Sequence, residues 1–136
     1  MKVRIAASIT ITLTVILIIF IFLQIPSVER LRADVAVSND NMTGFNTNTD
    51  ALYFGSMASG NTGERKFFVI NSKDYAASIK IGAHGEAAGW LQFIPDNFNL
   101  DKKERKEVLA RMRVPADAAE GNHTAEVLIV ARRKWL

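Results

Sequence analysis

The chain has 136 residues, no cysteine, and 17 basic residues against 14 acidic ones. Without thiols there is no disulfide framework and no thiol lipidation site, so the soluble part must hold together by its core alone. Setting aside Lys2 and Arg4 leaves 15 basic residues against 14 acidic ones, a balance that excludes the broad basic surface needed for nucleic-acid binding.

From Ile5 to Ile25 the chain runs 21 residues without a charge. At about 1.5 Å per residue such a helix is roughly 30 Å long, the thickness of a bilayer's hydrocarbon core. Lys2 and Arg4 precede the run, and Glu29, Arg30 and Arg32 follow it. It is longer than the apolar core of a secretory signal, and Pro26-Ser27-Val28-Glu29 offers no small-x-small cleavage site. The expectation is a retained transmembrane helix within residues 1–28, with lipid as its partner through residues 5–25. Positive-inside counting is nearly tied. The short tail before the run and the domain after it place the amino terminus inside and residues 29–136 outside the cytoplasm. Thr10 and Thr14 share a helical face, while Thr12 points elsewhere.

The exterior part reads as short strands separated by turn residues. Leu31 to Val37 alternates, with Leu31, Ala33, Val35 and Val37 on one face. Ser38–Asp50 is loop chemistry. Ala51–Gly55 is a short strand, Ser56–Gly63 a turn, and Lys66–Ile70 an apolar strand. Ala77, Ile79 and Ile81 alternate with polar neighbours. A loop with three glycines, Gly82–Gly89, precedes the strand Trp90–Ile94, whose Trp90 is expected in the core. Pro95-Asp96-Asn97 closes that strand, and Val127–Val130 ends the domain. About seven strands with turns every 8–12 residues describe an all-β sandwich.

Residues 101–114 admit two readings. Asp101 with Glu104 three residues later has the form of a helix cap. As a strand, however, Val108, Ala110, Met112 and Val114 line one face, and Arg111 and Arg113 share the other. A helix would put those two arginines on opposite sides, so the strand is preferred, with a helical turn at most near Asp101–Arg105.

Catalytic chemistry finds little support. His84 and His123 are far apart in sequence and fall in expected turns, without the local spacing of a zinc site. The glycines between Gly82 and Gly89 match neither phosphate-loop spacing. Asn39, Asp40, Asn41 and Asp50 carry calcium-type oxygens without the EF-hand spacing, as ordinary turn residues do. No cofactor or metal is expected. Asn41-Met42-Thr43 and Asn122-His123-Thr124 match the N-glycosylation pattern, so Asn41 and Asn122 are candidate acceptors. Arg132-Arg133-Lys134-Trp135 is either a solvated tail or a basic-aromatic contact for a polyanionic partner or lipid headgroups. Seven alternating strands would carry this tail to the end of the domain far from the membrane.

One ordered set of residues has a family likeness: Phe54-Gly55, Gly60, Lys66–Asn71, Trp90-Leu91, Phe98–Leu100, then Val114-Pro115-Ala116-Asp117-Ala118 with Gly121, Thr124, Val127 and Ile129. It resembles the immunoglobulin-like β-sandwich modules of bacterial and archaeal surface proteins, over about Leu52 to Ala131. In architecture, one span followed by one such sandwich also looks like the archaellum stator subunits. The resemblance implies a noncatalytic, membrane-anchored exterior module with a structural or protein-binding role in an envelope or membrane assembly. The alternatives are a pilin-like or archaellum-stator-like filament-system subunit, and a noncatalytic accessory subunit of a membrane enzyme or transporter. The turn Val114–Gly121 also has a plain structural reading. Pro115 cannot donate to a sheet ladder, and Gly121 supplies a backbone angle the turn needs.

Overall fold

A computed structural model describes residues 2–38 and 51–135, with side chains in the first helix described from Ala7 onward. Helix α1 covers Lys2–Leu23. Its β-branched residues are poor helix formers in water, but the hydroxyls of Thr12 and Thr14 donate to the carbonyls of Ser8 and Thr10, 3.0 and 2.9 Å away. Large apolar side chains from Ile9 to Leu23 are exposed all round α1, and none joins the domain core. Among the described residues no helix is long and apolar enough to cross a membrane. Residues 7–23, whose side chains are described, stop short of the ~20 apolar residues a bilayer takes. The expected span is therefore observed only as a helix.

The remainder is mostly β. Eight strands are described: β1 (Ser27–Val37), β2 (Ala51–Met57), β3 (Thr62–Ile70), β4 (Ala77–His84), β5 (Leu91–Ile94), β6 (Asn97–Leu100), β7 (Arg105–Arg113) and β8 (Gly121–Arg133). They form a five-stranded sheet in the order β2-β1-β8-β4-β6 and a three-stranded sheet in the order β3-β7-β5. The two sheets enclose one apolar cluster. Ile79, Ile81 and Val127 come from the larger sheet, and Val69, Phe93, Val108 and Met112 from the smaller.

The alternation read from the sequence holds where it was strongest. Ala33, Val35, Val37, Ala77, Ile79 and Ile81 are buried, as are Val108, Ala110, Met112 and Val114. Residues 105–113 are a strand. The Asp101–Glu104 cap contact forms without a helix: the Asp101 N–H donates to Glu104 Oε2 (2.7 Å) and the Glu104 N–H to the Asp101 carbonyl (3.2 Å). Lys103 has φ 60°, which closes this as a turn. Gly121 has φ 130°, the angle its place after Pro115 required.

Three readings need correction. The strands are longer than expected, because cross-strand bonding extends them through polar residues. Ser56, Met57, Thr62 and Gly63 belong to β2 and β3, so the turn shrinks to residues 58–61. Strand β6 is not among the expected strands: Asn97, expected in the closing turn, begins it, and its Phe98 and Leu100 are buried in the core. Trp90 lies in a 3-10 turn, half-buried at the edge of the core rather than within it. The loop expected at 38–50 lies outside the described residues, apart from Ser38.

The connections decide which end of the domain each segment reaches. Strand β1 pairs antiparallel with β8 from Ser27↔Ala131 to Val37↔Gly121, and parallel with β2 from Arg32↔Ala51 to Val37↔Met57. Strand β4 begins beside the end of β8 (Ala77↔Arg133), and β6 ends beside the start of β4 (Leu100↔Ala77). In the other sheet β3 ends where β7 begins (Ile70↔Arg105). The Asn71 side-chain amide ties the two sheets together here, donating to the carbonyls of Tyr75 (2.7 Å) and Asp101 (2.9 Å).

Because every buried core residue lies between Ala33 and Ile129, residues 26–136 are expected to fold without α1, giving a β-type circular dichroism spectrum. In that fragment Leu100→Ala should lower the urea-derived stability by about 2–5 kcal/mol. Ile70→Ala, at an exposed site, should stay within about 0.5 kcal/mol. A fragment that is unfolded alone would show that the domain depends on its helix.

Candidate functional site

The carboxyl-terminal cations are not a frayed tail. Arg132 and Arg133 are the last residues of β8, opposite Ser78 and Ala77. The Lys134 N–H donates to the Ala76 carbonyl at 2.9 Å. The Arg133 guanidinium lies between two rings, 4.5 Å from the centroids of both Tyr75 and Trp135. The Trp135 ring in turn stacks on Phe20 of α1, with centroids 6.4 Å apart. The segment expected to point away from α1 therefore returns to it. The domain has eight strands rather than seven, and the additional strand, β6, changes the parity of the count, so β8 runs antiparallel to β1. Strand β8 ends where β1 begins.

A second polar cluster occupies the opposite end. His123, expected in a turn, is buried in β8. Its parity with Ala125, Val127 and Ile129 was the signal that places it inward. Nδ1 lies 2.6 Å from Glu86 Oε1, and Nε2 lies 2.8 Å from the Ala119 carbonyl. Trp90 packs on the imidazole with centroids 4.8 Å apart. Both ring nitrogens face oxygen acceptors, so the doubly protonated ring alone satisfies both contacts. The Ala119 carbonyl first, and Glu86 second, raise the His123 pKa above its ordinary value, against the opposing effect of burial. This cluster fixes the Glu86 turn to β8. It has no nucleophile and no third titratable partner, so it reads as structural.

The other expected sites stay apart. Asn122 is exposed at the start of β8, on a strand rather than a loop, while Asn41 lies outside the described residues. His84 is exposed. The candidate calcium oxygens of Asn39, Asp40, Asn41 and Asp50 also lie outside the described residues. Among the described residues no group of three or more His, Asp or Glu side chains fits a metal ion. Two shallow hollows on the outer face of the larger sheet, about 320 and 520 Å³, meet at Arg32 and Thr124. Of the ion pairs along them, Arg30–Glu126 at 3.5 Å is exposed on both sides and Arg32–Asp34 at 2.8 Å on its arginine side, and such surface pairs contribute little to stability.

Compared with protein-family models and with curated proteins, the chain shows no match.

The raised His123 pKa sets a pH dependence with a definite sign. Its stabilising contribution is complete below about pH 6.5, the ordinary histidine value. It is lost as pH rises through the higher folded value. Thermal melting of the domain should therefore fall between pH 6 and pH 8.5. His123→Gln, which keeps one donor and one acceptor, should flatten that fall. An unchanged slope in the variant would show that His123 does not fold as the cation.

Proposed function

We propose that this chain is a single-pass membrane protein whose residues 5–25 lie in the bilayer. Its immunoglobulin-like β domain stands outside the cytoplasm, with a structural or protein-binding role in an envelope or membrane assembly. The observation that carries the reading is the character of α1. Its apolar side chains surround the helix with no amphipathic stripe, and they pack on no part of the core. A helix that is apolar all round needs an apolar surround, and lipid is what the sequence offers it. The uncharged run extends beyond the described side chains to Ile5 and Ile25, which restores the length a bilayer requires. The threonine hydroxyls bond within the helix, as polar groups in hydrocarbon must.

The noncatalytic reading rests on the described surface. The polar clusters there are ion pairs, turns and the His123 contact, each with a structural explanation. The two-sheet architecture and the residues from Leu52 to Ala131 support the immunoglobulin-like assignment. The resemblance to envelope modules supplies the role.

Expressed in cells, the full chain should stay in the membrane pellet after extraction at pH 11 and after 1 M salt, and should require detergent for release. Replacing Leu17 and Ile18 by Asp, at exposed positions on α1, should move the protein into the soluble fraction with its β domain still folded. Quantitative release of the wild-type chain by alkaline extraction would overturn the anchor.

A further inference from the structure

The strand registers collect three segments at the end of the domain where α1 enters: residues 71–76, 101–105 and 131–135. Together they carry seven basic and three acidic residues. Taking these from the 15 basic and 14 acidic residues after Lys2 and Arg4 leaves eight basic and eleven acidic residues for the rest of the chain. Two of those acids, Asp40 and Asp50, lie outside the described residues, and Glu29 lines a hollow with Lys73 at the foot of β1, so the described domain carries +3 at its helix-proximal end and is neutral elsewhere.

We infer that this end is a docking face for anionic lipid headgroups, which holds the β domain down on the membrane surface. The inference rests on α1 being the membrane anchor. Three observations argue for it. Only Gln24, Ile25 and Pro26 separate α1 from β1, so the face is held within about 10 Å of the helix end. Trp135 stacks on Phe20, which lies about 5 Å of helix rise before Leu23. With Ile25 as the end of the span, the contact lies about 7 Å inside it, near the interfacial belt in which tryptophan is enriched in membrane proteins. The cations are also presented outward: Lys102, Arg132 and Lys134 are exposed, and Arg133 is held between Tyr75 and Trp135. The exposed Ile70 at the same rim adds an apolar contact for the acyl boundary.

The acids at this end, Glu29, Asp74, Asp101 and Glu104, offset only part of its charge: Asp74 pairs with Lys103 at 3.2 Å, and seven cations against four acids leave a net positive rim. Such a rim is suited to a surface of phosphate groups, where each basic residue near an anionic membrane multiplies binding about fivefold. It is less suited to one acidic peptide, which would have to enter the narrow gap beside the anchor.

The test uses the full chain, whose lack of cysteine allows one labelling site. Ser72→Cys, exposed at this end, is labelled with a donor dye, and the protein is reconstituted into vesicles with headgroup-labelled acceptor lipid. One set is phosphatidylcholine alone, and the other contains 30% phosphatidylglycerol. Energy transfer should rise in the anionic vesicles, and 0.5 M salt should remove the rise. Arg132→Gln, Arg133→Gln and Lys134→Gln together should abolish it. Because Arg133 packs between two rings, a second variant with Lys102→Gln, Arg132→Gln and Lys134→Gln leaves it in place and should cut the lipid-dependent rise at least about fivefold. Melting temperatures should match wild type in the second variant.

Equal transfer in both vesicle types, or a rise that survives in the second variant, overturns the docking face and assigns the cations to an acidic protein partner. Alkaline extraction of the same neutral vesicles reports the anchor separately. Release there, with the anionic rise intact before extraction, would refute the anchor and leave the face standing.

Discussion

Strand β1 leaves α1 and pairs with β8 along its whole length, from Ser27↔Ala131 to Val37↔Gly121. Nearly everything else is attached to that ladder. On one side β1 recruits β2 in parallel, and on the other β8 recruits β4, which carries β6. The inward residues of β8 are Ala125, Val127 and Ile129, and they floor the core against which β7 packs. The pairing joins residues about a hundred positions apart, so its chain-closure entropy must be met before its contacts form. The larger sheet therefore cannot be completed until β8 is available. The carboxyl-terminal segment is the central strand of the domain rather than an appendage.

Much of the core was legible because burial on one face imposes a period of two. Ala77, Ile79 and Ile81, and Val108, Ala110, Met112 and Val114, were placed correctly from alternation alone. Alternation even overruled a helix-cap pattern at Asp101 and Glu104, whose hydrogen bond proved to belong to a turn. What escaped was set by partners rather than by local preference. Gly121, Asn122 and Thr124 look like turn residues, yet β1 supplies their cross-strand neighbours and holds them in β8. Phe98 and Leu100 form a strand too short to show its period. His123 was masked by its polar neighbours, although its parity with Val127 marked it as inward.

The basic cluster shows how a composition average conceals a distribution. Arg132, Arg133 and Lys134 were conspicuous in the sequence, but Lys73, Lys102, Lys103 and Arg105 lie in two other segments. Only the registers β4–β8, β4–β6 and β3–β7 bring the three together. The same registers leave Glu86, Asp117 and Glu120 at the opposite end. Direction was illegible for a related reason. The short strand β6 is invisible to a count made from alternation, and adding it turns the last strand back toward the foot of β1.

The continuous β1 strand has a mechanical consequence. Its eleven residues, at about 3.4 Å each, make a post roughly 37 Å tall, clamped at its foot by α1 and braced along its length by β8. With only residues 24–26 as slack, the domain has little reach beyond its own height. A molecule that engages the acidic far end must therefore meet it within about 37–47 Å of the end of α1, the post without or with its short leash. A neighbour lying closer to the bilayer would face the flanks of the sheets. The edges β2, β3, β5 and β6 are the surfaces available to it.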